Sequence, residues 1–390
     1  MSFPKVRVNT YVDKSQEISV DIISKVYVII SWVIGINRLP VIFKMRGIVF
    51  ICALTYSLLL NIFSVYYVLK IHGLYDFVID VNLIKHLMLF IFTVIYWNKL
   101  KKHYCELFQF DQEIKSDWLS KSNIISNCVQ NIITIMLVVL FNIYQQKYYA
   151  GASLWPDMLL IHLNHLWEIY YYGYLFKQIE LRVKSLRILL MSSFPINDQI
   201  IFCSENASVN FEDNNVINLI ANNPKIKVKR LLALYYKIIN IYDLLNAALQ
   251  WQLLILLTAT FITILSLSYH AAFNIINNEY TWQEGVFDVG MCVTMVVPLI
   301  LICAYGEKIQ NEVQLFQSAL YSRIYKDVFD KSNRSTASSL LSLIEIRSLS
   351  FSVFRMIEIN ISLPFTFFGL VASYLVILLQ FQKVINFDSS

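Results

Sequence analysis

The run from Ile361 to Phe381 constrains this chain most, because it holds no charged side chain over a length that can cross a bilayer as a helix. At about 100° per residue, one face of that helix carries mostly small or hydroxylated side chains within about 80°. These are Ser362, Thr366, Gly369, Ser373, Ile377 and Gln380. Two interpretations stay open. The stripe packs against another helix, as the small-xxx-small spacing of Gly369 and Ser373 indicates, or it lines a water-filled pore.

The whole chain has the composition of a polytopic membrane protein. Hydrophobic residues make up 57% of its 390 residues, charged residues 15%, and the mean hydropathy is +0.55. The charged N-terminal stretch does not resemble a cleaved signal peptide, so we expect the first span to serve as its own insertion signal. With nine Gly and seven Pro, the chain favours long helices over the short alternating strands of a β-barrel.

Seven apolar runs are long enough to span: 46–69, 82–98, 129–149, 157–176, 251–272, 286–305 and 361–381. A shorter apolar patch, Val26 to Ile36, predicts an interfacial or packed helix that stops before Pro40. The fold class predicted is therefore an all-α membrane protein with seven transmembrane helices.

The distribution of positive charge predicts the orientation. Of 32 Lys and Arg residues, 28 lie in the N-terminal, second, fourth and sixth intervening segments. Lys85, at the mouth of the second span, counts with the few on the other side. Because cytoplasmic loops are enriched in Lys and Arg, we expect a cytoplasmic N-terminus and an extracellular C-terminus. The sequons at Asn206, Asn333 and Asn360 then lie where glycosylation does not reach them.

The predicted organisation has six parts. They are a cytoplasmic N-terminal region (1–45), spans one to four (46–176), a cytoplasmic helical extension and linker (177–250), spans five and six (251–305), a cytoplasmic helical anchor segment (306–360), and the final span with an extracellular C-terminus (361–390). Amphipathic helices are predicted at Lys177–Met191, Lys225–Leu249 and Ser338–Ile357, with a break over Lys331–Ser339. Their apolar faces predict a helical bundle below the membrane or, alternatively, helices on the bilayer surface.

Polar side chains inside spans are costly and mark candidate binding residues. On one face of the fourth span, within about 120°, lie His162, His165, Glu168 and Tyr172. They predict the wall of a small-molecule site in the outer half of the membrane or, equally, an interhelical network in which a hydroxyl or a His holds Glu168. Other candidate ligand-binding residues are His86, Asn142, Gln145, Tyr269 and Asp288.

Other function classes find little support in the sequence. The six cysteines show no CxxC pair and predict free thiols, and the His-x2-His-x2-Glu spacing has no supporting zinc motif. We expect no metal, no cofactor and no catalytic site, since phosphate-loop and nucleophile-elbow motifs are lacking. The net charge of +5 is explained by the basic cytoplasmic face and anionic lipid, and it does not predict nucleic-acid binding.

The C-terminal stretch Ser373-Tyr374-Leu375-Val376-Ile377-Leu378-Leu379-Gln380-Phe381 resembles the Thr-Tyr, five hydrophobics, Gln-Phe signature of the last span of insect gustatory receptors. The resemblance implies a seven-span, ligand-gated cation channel. Four subunits, identical or related, would surround a pore lined by this helix and be joined by the cytoplasmic bundle. It also implies a plasma-membrane location, in dendrites of sensory neurons, and a small-molecule tastant as the ligand.

Matching the motif places Gln380 and Phe381 at the gate, Ile377 and Ser373 along the pore, and Tyr374 packed behind the lining. Sugar-sensing members of the family tend to have Glu after the Thr-Tyr pair, whereas this chain has Leu375. The resemblance therefore favours a bitter or other plant compound, with a fructose-type receptor as the alternative.

Two alternatives from other classes are a G-protein-coupled receptor and a secondary transporter. A G-protein-coupled receptor needs an outside N-terminus, whereas the charge distribution predicts a cytoplasmic one. A secondary transporter would show internal repeats or paired broken helices, and the sequence does not indicate them.

Overall fold

The structure is a computed structural model that describes residues 22–33, 38, 51–60, 62, 66, 77–114, 136, 155–195, 227–276 and 282–388. In chain order the elements are α1 (Ile22–Val33), α2 (Ile51–Leu60), α3 (Phe77–Ile114), α4 (Trp155–Ser193), α5 (Val228–Ile276), α6 (Trp282–Tyr325), α7 (Lys331–Ile346), β1 (Ser352–Val353), β2 (Ile357–Glu358) and α8 (Ser362–Asp388). The described part is thus mostly helical, as expected from the composition.

Four of the helices are much longer than a bilayer is thick. α5 has 49 residues, which at about 1.5 Å per residue is roughly twice the hydrocarbon thickness. α4 likewise continues the predicted fourth span without a break to Ser193. The helical extensions predicted after the fourth span and before the fifth are therefore present as helices, while their cytoplasmic placement stays a prediction.

Within the described residues, three helices have the length and hydropathy of membrane spans: Val81–Ile114, Val228–Ile276 and Ser362–Phe381. They contain the predicted second, fifth and seventh spans. The predicted fourth and sixth spans fall in α4 and α6, and the third, 129–149, lies outside the described residues except for Met136. The count of seven spans stays a prediction.

α5 forms the centre of the helix assembly. It contacts α3 along much of its length and also packs against α4, α6, α7, α8 and β1, while α4 lies along α6. α1 packs on α4 with Val28 and Ser31 buried, so the apolar N-terminal patch forms a packed helix. α8 is peripheral, and its principal contacts are with α5 and α6.

The helix predicted over Ser338–Ile357 is present only as far as Ile346, and the break predicted over Lys331–Ser339 was wrong. α7 already begins at Lys331, and it buries one face through Ala337, Leu340 and Ile344. Its hydroxyls, such as that of Ser339, donate to carbonyls one turn back. α7 then ends at Ile346. The helix ends there because the next buried apolar residues follow the period of a strand. Leu349, Phe351 and Val353 are buried and alternate with serines.

A short antiparallel hairpin connects α7 to α8. Ser352 pairs with Glu358 and Val353 with Ile357, and Phe354 and Arg355 turn the chain with φ of 52° and 60°. Phe351 anchors the hairpin, since its ring stacks on that of Phe176 on α4 with 3.9 Å between the ring centroids. The hairpin thereby sets where the final helix begins.

Candidate functional site

The two faces of α8 differ sharply in their surroundings. Pro364, Phe367 and Val371 are buried against the rest of the subunit, and Leu375 and Leu379 are partly buried. The stripe of small and hydroxylated side chains lies about 175° away and is exposed along its length. A Cβ on Gly369 would meet no atom within 4 Å among the described residues. Within one subunit, therefore, the stripe does not pack against another helix described by the structure.

The hydroxyls of the stripe bond to their own helix. Thr366 Oγ1 donates to the carbonyl of Ser362 at 3.2 Å, and Ser373 Oγ donates to that of Gly369 at 2.9 Å. These bonds satisfy the hydroxyl hydrogens while each oxygen can still accept from water. Towards the C-terminal end of α8, Ile377, Gln380 and Phe381 are exposed, Phe381 to 65%.

Tyr374 contacts α5 from the edge of the exposed face. Its ring packs edge-on against that of Phe261, with 5.9 Å between the ring centroids. The Phe261 ring also packs edge-on against Phe367, with 5.3 Å between the centroids. Phe261 thus contacts α8 at two positions about two turns apart. The sequence pattern did not single out Phe261. The packing of Tyr374 beside the exposed stripe is compatible with its predicted position behind a pore lining.

Inside the bundle, Glu168 on α4 is fully buried and bonded to Arg38. Arg38 Nη1 lies 2.7 Å from Glu168 Oε1 and Nη2 lies 2.5 Å from Oε2, which is a bidentate ion pair. The hydroxyl of Tyr172 donates to Glu168 at 2.7 Å, and the Arg38 guanidinium lies 4.0 Å from the centre of the Tyr171 ring. The carboxylate is therefore held inside the protein.

This network reaches other helices through amides and hydroxyls. The Tyr172 hydroxyl lies 3.1 Å from Gln252 Oε1 on α5, whose Nε2 donates to Thr93 on α3 at 3.4 Å. Arg38 and Trp167 both donate to Ser31 on α1 at 3.1 Å. Four helices thus meet in one buried polar layer.

A second polar cluster surrounds Lys85 on α3. Lys85 Nζ donates to Asn82 Oδ1 at 2.7 Å and lies 3.1 Å from His165 Nδ1 on α4. Asn82 Nδ2 lies 3.5 Å from Thr263 Oγ1 on α5. Lys85, Asn82 and His165 are all buried, so Lys85 is not at a solvated mouth of its span.

The family model described as 7tm Chemosensory receptor matches residues 24–385, which is nearly the whole chain. This chain belongs to the 7tm chemosensory receptor family. The family is that of the insect odorant and gustatory receptors, so the resemblance seen in the C-terminal motif is confirmed at the level of the family. Membership of this family indicates a receptor or channel and not an enzyme. No curated protein sequence matches the receptor.

Solved structures give the same fold. The receptor superposes on the olfactory receptor OR5 of Machilis hrabei in complex with eugenol with a TM-score of 0.53 at 11% identity, covering 91% of this chain and 97% of that one. A second structure of OR5 from Machilis hrabei gives a TM-score of 0.52 at 14% identity, covering 92% of this chain and 97% of that one. At such identities the likeness establishes the helical fold of a membrane receptor, and it carries no ligand or assembly to this chain.

The receptor structure places the remaining predicted binding residues unevenly. His165, Glu168 and Tyr172 are buried on one face of α4, and His86 is buried on α3. Tyr269 is half-buried on α5, where its ring stacks on Phe273 of the same helix. The side chains of His162 and Asp288, and the whole of Asn142 and Gln145, lie outside the described part. The ligand-binding role of all these residues stays a prediction.

Sequence reasoning missed three residues that organise this interior. Arg38 falls in a segment that predicted only a helix stop, Lys85 was counted as a loop charge, and Gln252 lies at the start of an apolar run. The available signal was that each is a polar side chain beside or within a span, where an unsatisfied group is costly.

Among the described residues of the receptor, no group of three or more His, Cys, Asp or Glu side chains could hold a metal ion. Cys52, Cys105 and Cys303 are free thiols. Cys128 and Cys203 lie outside the described residues.

Proposed function

We propose that this chain is a gustatory receptor, a non-selective cation channel opened by a tastant. The observation that carries the proposal is the exposed hydroxyl and small-residue stripe of α8, on the same helix as the motif from Ser373 to Phe381. Little of α8 is buried within one subunit, so the helix has a free face for neighbouring subunits. Four copies around an axis would bring the stripes together on a water-filled path.

In this proposal Gln380 and Phe381 form the narrowest ring near the extracellular end. A ring of amides and aromatic side chains could close by dewetting and open through a small helix rotation. Ser373 and Ile377 line the conduit farther in, and Tyr374 transmits movement from α5 through Phe261. The long helices below the membrane join the subunits, and the receptor acts in the plasma membrane of sensory dendrites.

The tastant is proposed to bind among the outer parts of spans two to six. His86, His162, His165 and Tyr269 form parts of the wall, with Asn142, Gln145 and Asp288 from the other helices. Glu168 and Tyr172 lie deeper along α4 and, tied to Arg38, form a rigid floor beneath the ligand. A bitter or other plant compound is the proposed ligand, because Leu375 stands where sugar-sensing relatives tend to have Glu. A fructose-type sugar is the alternative.

A second candidate is an odorant-gated channel of the same family. It is favoured by the two similar structures, which are of an olfactory receptor, one of them in complex with eugenol. Screening sugars, alkaloids, glycosides and small volatile aromatics by calcium response in a heterologous cell separates these ligand classes.

The gate assignment predicts that Gln380→Ala changes ligand-evoked current, because four amides would be lost from the narrowest ring. Whole-cell recording should show altered open probability or ion permeability relative to wild type. Phe368→Ala, at an exposed position about 120° from Gln380 around α8, is the control. Unchanged gating and permeation would remove Gln380 from the gate. The orientation is tested separately with an epitope tag at the N-terminus. A tag that antibodies cannot reach on intact cells would exclude a G-protein-coupled receptor, which needs an outside N-terminus.

A further inference from the structure

The two polar clusters around Glu168 and Lys85 together contain, among the described residues, two cationic side chains and one carboxylate. Arg38, Lys85 and Glu168 are each at most 2% exposed. Both oxygens of Glu168 are bonded to Arg38, and Oε2 also accepts from Tyr172. Among the residues that the structure describes, no carboxylate lies within ion-pair distance of Lys85. Within the described residues, the ammonium charge of Lys85 is therefore not matched by a carboxylate at ion-pair distance.

The partners of Lys85 are neutral acceptors. Its ammonium has three N–H donors, and two of them are directed at Asn82 Oδ1 and His165 Nδ1. Burying an ammonium without an opposite charge costs several kcal/mol more than burying one that is paired. Such a group is well suited to an anion that enters the site with its own charge.

The Lys85 cluster lies in the part of the predicted spans where the proposed function puts the ligand. By the predicted orientation Lys85 lies about 5 Å inside the outer membrane boundary, and His165 lies one helical turn outward of Glu168. Asn82 connects the cluster to Thr263, so three helices (α3, α4 and α5) contribute to it. Since His165 Nδ1 accepts from Lys85, the neutral ring carries its hydrogen on Nε2 and is itself a donor.

We propose that Lys85, supported by Asn82 and His165, recognises an acidic group, and that the ligand of this receptor is a small organic acid bound as its carboxylate. The inference rests on the proposed function, because it names the class of compound that opens the same channel. The carboxylate accepts the remaining N–H of Lys85 and neutralises the ammonium charge. A neutral ester or alcohol of the same skeleton cannot supply that charge.

The test compares matched ligands on matched variants. Benzoic acid, methyl benzoate and benzyl alcohol, and the corresponding hexanoic acid series, are applied at neutral pH to cells expressing the receptor, and current is recorded. We expect the acid to be at least about tenfold more potent than its ester, as a charge-assisted hydrogen bond requires. Lys85→Met should remove that preference, Lys85→Arg should retain part of it, and Lys99→Met, an exposed lysine on the same helix, should leave it unchanged.

Thermal stabilisation of the purified receptor provides a readout independent of gating. The acid should raise the melting temperature of wild type more than the ester does, and Lys85→Met should abolish the difference. Equal potency and equal stabilisation by acid and ester in wild type would overturn the proposal, even if Lys85→Met failed to fold. A stabilising acid without current would contradict the channel and leave acid recognition standing. Currents evoked only by neutral compounds would contradict acid recognition and leave the channel standing.

Discussion

At the scale of single residues, the Arg38–Glu168 pair is a bidentate ion pair that is fully buried in the described interior. It joins the segment before the first predicted span to the middle of α4, across 130 residues of sequence. The sequence indicated that Glu168 lies in the membrane and needs a partner, and a hydroxyl was one of the partners expected. Arg38 could not be predicted from one sequence, because no local spacing relates two residues so far apart.

Breaking this pair should destabilise the receptor strongly. Arg38→Met leaves the Glu168 carboxylate buried without its counter-charge, at a cost of about 3–5 kcal/mol. The melting temperature of the detergent-solubilised receptor should fall markedly. The double variant Arg38→Met/Glu168→Met should lose much less than the sum of the single changes, since both charges are then gone.

The exposed pair of Arg334 and Asp327 supplies the control. Their side chains are 51% and 69% exposed, so Arg334→Met should change the stability by no more than about 1 kcal/mol. Additive losses from Arg38→Met and Glu168→Met would show that the two residues do not act as a pair.

At the scale of elements, hydropathy predicts the long helices well and the segment before α8 poorly. Apolar runs and helical spacing extend through α4 and α5, so their lengths follow from the sequence. The hairpin was missed because its buried residues alternate at a period of two over only a few positions. Such a short strand depends on its neighbours, here Phe176 and Tyr242, whose rings contact Phe351.

The close approach of α6 to the hairpin predicts a glycine requirement. A Cβ at Gly306 would lie well inside van der Waals contact of the Ile359 backbone oxygen, which cannot move without shifting the start of α8. Gly306→Ala should therefore lower surface expression and thermal stability despite the better helix propensity of Ala. Gly369→Ala, whose added Cβ would meet no atom of the described residues within 4 Å, should leave monomer folding unchanged. Equal behaviour of the two variants would contradict this packing.

Tyr374 and Phe261 form the contact through which α5 can move α8. An edge-on aromatic pair contributes about 0.5–1.5 kcal/mol, so losing it in one gating state should shift the ligand concentration for half-maximal current roughly 2- to 10-fold. Tyr374→Ala should produce the shift, and Tyr374→Phe, which keeps the ring, should not. Equal dose–response curves for Tyr374→Ala and wild type would exclude coupling through this contact.

At the scale of the whole molecule, family and fold were predictable and the detailed site was not. The C-terminal motif and the apolar runs point to the chemosensory receptor family, which the match over residues 24–385 establishes. The motif also names the helix that we propose to line the pore. The arrangement of the buried charges could not be predicted in this way. It arises from contacts among α1, α3, α4 and α5 that no single stretch of sequence encodes.

The central claim is that the stripe of α8 faces water in the assembled channel, and cysteine accessibility tests it most directly. Single cysteines at Thr366, Gly369, Ser373 and Ile377 are compared with cysteines at Phe367 and Val371 on the buried face. A charged, membrane-impermeant thiol reagent is applied with and without ligand while current is recorded. The account predicts ligand-dependent modification and block at the stripe positions and none at the buried ones. A stripe that stays unmodified in the open channel would contradict it.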